Sequence, residues 1–219
     1  MTPVAPVADW RQAAVRRWLD EGRAAGMSYL LRHYALRCDP RLVEPSARTV
    51  VSVALPYDMK PSFAPDALRL SRYALGSDYH DVVKKRLSQM VRLLGFDPAC
   101  DGRICCDTAP VDERYWAWRT GVGRWLRSGL ISVRGHGTCV VLGEWLAPFP
   151  MADAEVAADT VPPLPPAEEC LRCGRCLAAC PGGALGGGGL DARRCLSYLS
   201  IEHRGAFPDC DEHTPARRA

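Results

Sequence analysis

Several absences bound what this 219-residue chain can be. No stretch approaches the roughly 18 to 20 consecutive apolar residues of a membrane span. Met1 to Pro6 has no charged segment followed by an apolar one, as a secretory leader would. Both absences read as a cytoplasmic protein without a membrane anchor. There is little excess of either charge: a formal net +3 permits a nucleic-acid partner without arguing for one. No two of the five histidines stand at a metal-ligand spacing, so all five read as structural or surface residues. No internal repeat is present, which excludes solenoids and propellers. Apart from Gly186 to Gly189 there is no low-complexity run. What remains is a globular composition, 47% apolar and 24% charged, with a length suited to one ordinary domain and a small appendage. The outlying number is eleven cysteines. An odd count without a leader argues against a disulfide framework and for a metal site.

Along the chain, Asp9 is a plausible cap for a helix on which Trp10, Ala14, Trp18 and Leu19 recur at helical spacing, ending at Gly22 and Gly26. Thr49 to Leu55 is a β-branched run closed by Pro56, the pattern of a strand buried on both faces. Asp78 caps a long helix with Val82, Val83, Leu87, Met90, Val91 and Leu94 on one face and Gly95 as its stop; Lys84, Lys85 and Arg86 read as its solvated face. Arg103 to Cys106 is a short strand that delivers Asp107 at its carboxyl end, where open α/β sheets hold ligands. A helix follows from about Val111. Leu130 to Val133 and Thr138 to Leu146 read as two strands of a hairpin joined by Arg134-Gly135-His136-Gly137. Strands alternating with helices imply an α/β sheet layer. Residues 148–167 change to Pro, Ala, Asp and Glu, a semi-rigid linker. The expected division is 1–147, the linker, a cysteine module over 168–205, and a tail over 206–219.

Cys170, Cys173, Cys176 and Cys180, followed by Pro181, form C-x2-C-x2-C-x3-C-P. Thiolates at this spacing hold three irons of one cubane, while the fourth turns to a second cluster. A structural zinc site is the alternative, but zinc ribbons generally use two C-x2-4-C pairs with a longer insert. The small residues Gly174, Ala178, Ala179, Gly182, Gly183 and Ala184 let backbone amides approach the sulfurs, which tunes a cluster's potential. Two [4Fe–4S] clusters need eight ligands, and this module with Cys195 supplies five. Cys210 lacks a C-x2-C partner, and Cys38, Cys100, Cys105, Cys106 and Cys139 read as small apolar packing residues.

Taken together, several segments resemble epoxyqueuosine reductase, the cobalamin- and iron–sulfur-dependent family of the last step of queuosine biosynthesis in tRNA. They include Ser28-Tyr29-Leu30-Leu31-Arg32-His33, Leu36-Arg37-Cys38-Asp39-Pro40-Arg41, and Ala47-Arg48-Thr49 through Leu55-Pro56-Tyr57. Arg72-Tyr73-Ala74-Leu75-Gly76-Ser77-Asp78-Tyr79-His80 and Asp107-Thr108-Ala109-Pro110-Val111-Asp112-Glu113-Arg114 continue it. Leu142-Gly143-Glu144, the cysteine motif and Leu190-Asp191 through Ile201-Glu202 complete it, covering residues 27–205 in order.

The resemblance implies an α/β (α+β) cobalamin-binding reductase-like domain followed by a bacterial ferredoxin-like iron–sulfur module. It implies two [4Fe–4S] clusters on Cys170, Cys173, Cys176, Cys180 and Cys195, feeding electrons from a cellular donor to a base-off cobalamin. The substrate implied is an epoxide on a tRNA nucleoside, reduced to an alkene with loss of water by a monomeric cytoplasmic enzyme. Asp107 corresponds to the family's proposed proton donor and cobalamin neighbour; that role requires a dry site, since a free Asp titrates near 3.9. Arg32 would lie against the corrin, Ser197 near the cobalt face, and Arg127 keeps the charge of a cobalamin-contacting loop. On the residues alone, Asp107 reads as a turn or cap, Arg32 as a surface arginine and Ser197 as a helix residue.

Three departures accompany the match. The family's G-x-G-W-x-G-K stretch appears as Gly121-Val122-Gly123-Arg124-Trp125-Leu126-Arg127, with Leu126 where the family has Gly. The family carries further residues ahead of Asp9. After Gly205 it has a second cysteine segment and a helical repeat domain that helps hold tRNA, whereas this sequence runs 14 residues further. The expectation is therefore a reductase homologue shortened at both ends. The alternatives are a ferredoxin-type electron carrier on an inert scaffold, an inactive homologue, and a zinc-stabilised interaction module.

Overall fold

The computed structural model describes residues 1–57, 70–151, 170–186 and 189–206. Most of the linker, and Cys210 with the tail, lie outside them.

The β-branched run forms β2 (Thr49–Pro56), one residue longer than the sequence predicts. It pairs along its whole length with β6 (Val140–Ala147), from Thr49 opposite Ala147 to Pro56 opposite Val140. β1 (Thr2–Pro3) adds to the free edge of β2, and β3 (Arg103–Cys105) to that of β6, giving the order β1-β2-β6-β3. All three pairings are antiparallel, so the helices between strands are not parallel crossovers.

Side chains alternate across this sheet. Val51, Val53 and Leu55 on β2 and Val141 and Trp145 on β6 pack on the side of α4 (Tyr79–Leu93), whose Val83, Leu87 and Val91 are buried. Gly143 is what lets α4 settle there: a Cβ at that position would lie 2.5 Å from Val83 Cγ1. Val50 and Leu146 pack on the opposite side with α5 (Glu113–Arg119), whose Tyr115, Trp116, Ala117 and Trp118 are all buried. Asp78 caps α4 by accepting the amide of His80, and Asp112 caps α5 by accepting that of Tyr115.

Four readings of the sequence need correction. Asp9 begins α1 (Asp9–Asp20) as an acidic first-turn residue, and Ala8 is its cap. The residues read as a hairpin do not pair as one. β5 (Ile131–Ser132) pairs instead with β4 (Arg124–Trp125), and only the Val133–Gly137 bridge joins the flanks of the glycine-rich loop. β6 is drawn away because its apolar residues complete both faces of the main sheet. Leu94 is exposed and outside α4, and Cys100 is exposed rather than packed.

Two short helices, α2 (Ser28–Arg32) and α3 (Tyr34–Cys38), follow α1. The cysteine module contains α6 (Arg175–Ala178), the β7–β8 ribbon (Leu185–Gly186 with Gly189–Leu190) and a π-helical turn, Tyr198–Glu202. It docks on the first two helices. Trp18 Nε1 donates to the Leu190 carbonyl, the Ala192 amide to Arg23, and the Gly26 amide to the Tyr198 hydroxyl.

Candidate active site

Asp107 lies just past β3 in the left-handed region, φ +55°, a conformation that favours glycine. Its carboxylate reaches back to α4, where His80 Nε2 stands 3.2 Å from Asp107 Oδ2. The other ring nitrogen, Nδ1, is 2.7 Å from Asp78 Oδ1, so His80 bridges two carboxylates. Tyr79 stacks on the imidazole at 4.0 Å between centroids. Burial works against the charged imidazole, but the bonds from Asp78 and Asp107 outweigh it and raise the pKa. His80 thus stands beside Asp107, a neighbourhood that the reading of five structural or surface histidines does not include. Its cap-plus-two position in front of an Asp strand-end is the signal that was there to find.

Tyr79 and Asp107 line a cleft of about 230 Å³, and His80 is bonded to its Asp107 side. One wall is Tyr57, Tyr73, Val140, Val141 and Leu142; the other carries Asp107, Glu113 and Arg114. The volume suits a single ring system rather than a corrin. The dry setting expected around Asp107 is only half present. Cys105 and Cys106 behind it are buried, with thiols pushed up to about 12, but the Asp107 side chain is 60% exposed.

The carboxyls that do sit in a dry setting are two others. Glu144 on β6 is fully buried, opposite Ser52 on β2 and Cys105 on β3. Among the described residues neither Glu144 oxygen nor Ser52 Oγ has a hydrogen-bond partner. Burial, and then the Glu113 charge, raise the Glu144 pKa well above the carboxylate range. Burial likewise pushes Glu113, in the first turn of α5, up to about 7, although the Asp107 amide that donates to its Oε1 pulls the other way. Glu113 and Glu144 were quoted in the sequence only as parts of family segments. The physical signal was an acid inside the apolar strand Val-Val-Leu-Gly-Glu-Trp-Leu-Ala.

The cysteine module presents its thiols near the surface. Cys173 is exposed, and Cys170, Cys176, Cys180 and Cys195 are half-buried. Arg172 at φ +52° and Gly174 at φ +75° turn the backbone around them. The Ala184 amide lies 3.2 Å from Cys180 Sγ, the amide-to-sulfur approach that small residues permit. The amides of Arg127 and Arg172 donate to the Cys170 sulfur and lower its pKa toward the thiolate. Among the described residues no three Cys, His, Asp or Glu side chains gather tightly enough to hold one metal ion. A tetrahedral zinc site brings its sulfurs within about 2.3 Å of one ion, whereas a cubane spreads them over its corners. In kind, order and amide support, the thiols fit a cluster.

Arg32, Arg127 and Ser197 are all exposed. Arg32 Nη1 donates to Ser28 Oγ at 2.7 Å. The elements that carry them meet beside the thiols: Tyr29 of α2 bonds Glu202 of the π-helical turn after Ser197, and the Arg127 amide bonds Cys170. These exposed polar side chains could meet the peripheral amides and the single phosphate of a cobalamin lying on an open surface.

Residues 37–108 match the family described as "Epoxyqueuosine reductase QueG, DUF1730", and residues 169–218 the "4Fe-4S double cluster binding domain". The epoxyqueuosine reductase of Pseudomonas aeruginosa is 35% identical over 205 residues, 90% of this chain and 55% of that protein. That of Synechococcus sp. (strain CC9605) is 37% identical over 207 residues, 92% and 60%. The solved Streptococcus thermophilus enzyme superposes with a TM-score of 0.73 at 25% identity, covering 92% of this chain and 53% of that one. An epoxyqueuosine reductase bound to a tRNA-Tyr epoxyqueuosine-modified stem loop gives 0.71 at 28%, covering 94% and 54%. The Bacillus subtilis enzyme, solved with its catalytic aspartate loop swung out of the active site, gives 0.65 at 27%, covering 94% and 54%. The chain therefore spans about half to three fifths of the length of the proteins it matches. On sequence and fold together, the chain belongs to the epoxyqueuosine reductase family.

Proposed function

We propose that this chain reduces the epoxide of epoxyqueuosine in tRNA to the alkene of queuosine. The reaction takes up two electrons and two protons, and the epoxide oxygen leaves as water. Residues 1–147 form the cobalamin and substrate part and 168–205 the iron–sulfur part, in a monomer that takes electrons from a cellular donor; among the described residues no helix is long and apolar enough to cross a membrane. When bound, the clusters supply single electrons and the cobalamin a reducible cobalt centre that accepts them. Cys170, Cys173, Cys176, Cys180 and Cys195 would hold the clusters; Arg32, Arg127 and Ser197 would hold the corrin on the open surface.

The observation that carries this reading is the Asp78–His80–Asp107 chain beside the cleft. An oxygen leaving carbon needs an acid beside it, and general acid catalysis is worth roughly 10² to 10⁴-fold. Bonded to Asp78 on one side and Asp107 on the other, with its pKa raised, His80 can pass a proton to Asp107. A nucleoside seated in the cleft would shut out the water that reaches Asp107. Tyr57 and Tyr73 offer flat faces against which a flipped-out base can lie. The catalytic aspartate loop that is swung out in the Bacillus subtilis enzyme would correspond here to the segment that begins at Asp107, which would open to admit the nucleoside.

The test is the anaerobically reconstituted 219-residue protein with an epoxide-bearing stem loop and a chemical reductant. Conversion to the alkene by wild type and its loss in Asp107→Asn, with cobalamin uptake unchanged, is the expected outcome. Equal turnover in Asp107→Asn would remove the proton-delivery role. Reducible clusters with neither corrin uptake nor conversion would favour the electron-carrier alternative.

A further inference from the structure

Asp107 reaches His80 only because its backbone is held in the left-handed region, and something other than its own side chain must hold it there. The residues on either side give partial support. The Thr108 amide donates to the Cys106 carbonyl at 2.6 Å, closing a tight turn, and the Val111 amide donates to Ala109. The first of these spans Asp107 and holds its backbone locally, but neither ties the turn to a neighbouring element. The Asp107 N–H donates across the turn to Glu113 Oε1, of a carboxyl carried on the rigid, capped start of α5.

We propose that Glu113 is the positioning residue of the Asp107 loop: its carboxyl latches the Asp107 amide and so aims the Asp107 carboxylate at His80 and the cleft. The inference rests on the reading of Asp107 as the proton-delivering residue, and it concerns what Glu113 does through Asp107, not through the cleft wall that it also lines.

The surroundings of Glu113 make the latch sensitive to pH. Arg37 on α3 and Arg114 on α5 favour its ionised form, while burial and the Asp107 carboxylate oppose it. Glu144 on β6 faces it, and each further charge in the pocket is resisted: the ionisation of Glu144, Cys105, Cys106 and Tyr79 is opposed by Glu113. An amide donates more strongly to a carboxylate than to a neutral acid. Since Glu113 titrates near 7, the latch tightens as pH rises through neutrality and slackens below it. Acidification would thus loosen Asp107 while protonating the site, which places the best turnover where both demands are met.

Amide hydrogen exchange of Asp107, corrected for intrinsic rates, tests this directly in the wild type, Glu113→Gln and Glu113→Met. Both variants nearly preserve volume, so the core around α5 stays filled. In the wild type the protection of Asp107 should rise roughly fivefold between about pH 6 and pH 8, the ratio of a charge-assisted to a neutral hydrogen bond. Glu113→Gln keeps an acceptor and should show intermediate protection without the pH step. Glu113→Met has none and should lose about tenfold at pH 8 and about twofold at pH 6, with kcat lowered by more than KM for the stem loop is raised. Wild-type protection of Asp107 in Glu113→Met would overturn the proposal. Failure of the functional reading looks different: the exchange pattern would appear as described, with no epoxide reduced by the wild type.

Discussion

At the residue scale, two carboxylates six positions apart take different parts. Asp107 stands at the mouth of the cleft, bonded to a histidine, and Glu113 lies behind it, bonded to its amide. Replacing His80 with Gln removes a group that can carry a proton between Asp78 and Asp107. Turnover should then fall by roughly 10²-fold, with the alkaline limb of its pH profile lost; an unchanged profile would exclude His80 from the proton path. Glu113 also sets a stability slope. Its folded pKa, about 7, lies above the ordinary value of 4.5, so its contribution is fully present below about pH 4.5 and is lost as pH rises through 7. The difference is roughly 3 kcal/mol, from about 1.4 kcal/mol per pKa unit. Denaturant titrations at pH 5 and pH 8 should show it in the wild type and find it much reduced in Glu113→Gln.

At the element scale, the sheet is where sequence and structure agree most closely. β2 and α4 announce themselves through a β-branched run and a 3.6-residue apolar period with Asp78 as cap, and both stand within a residue or two of where those signals put them. The glycine-rich loop misled because local turn chemistry favours a hairpin, while the apolar alternation of β6 is satisfied only between β2 and β3. That preference is a long-range packing effect and leaves no local trace. His80 and Glu144 leave only faint local signals, a cap-plus-two histidine and an acid inside an apolar strand, whose meaning appears once strand and helix bring Asp107 and Glu113 beside them. Asp107, by contrast, was recognisable from its motif, as were the thiols. Gly143 marks how tightly α4 seats on β6, because a Cβ there would also come within 3.1 Å of Leu87 Cδ1. Gly143→Ala should cost about 1–3 kcal/mol in thermal unfolding; a neutral result would mean that the helix can shift away freely.

At the scale of the whole molecule, a sheet domain and a thiol module share one edge. Trp18, Arg23, Gly26 and Tyr29 contact residues of the module, and the Arg127 amide touches Cys170. The arrangement puts Cys170 beside the segment that carries Arg127. Anaerobically reconstituted protein should contain iron and sulfide, with the broad visible absorbance of a cubane. Cys176→Ser should lose much of it while the far-ultraviolet signal of the sheet domain remains; zinc without sulfide would return the module to an interaction role. The most direct measurement is mass spectrometry of an epoxyqueuosine-bearing tRNA stem loop after incubation with the reduced, cofactor-loaded chain and with its Asp107→Asn variant. The predicted result is loss of one oxygen from the nucleoside with the wild type and an intact epoxide with the variant. An intact epoxide with both, from protein that demonstrably holds cobalamin and reducible clusters, would contradict the proposed function.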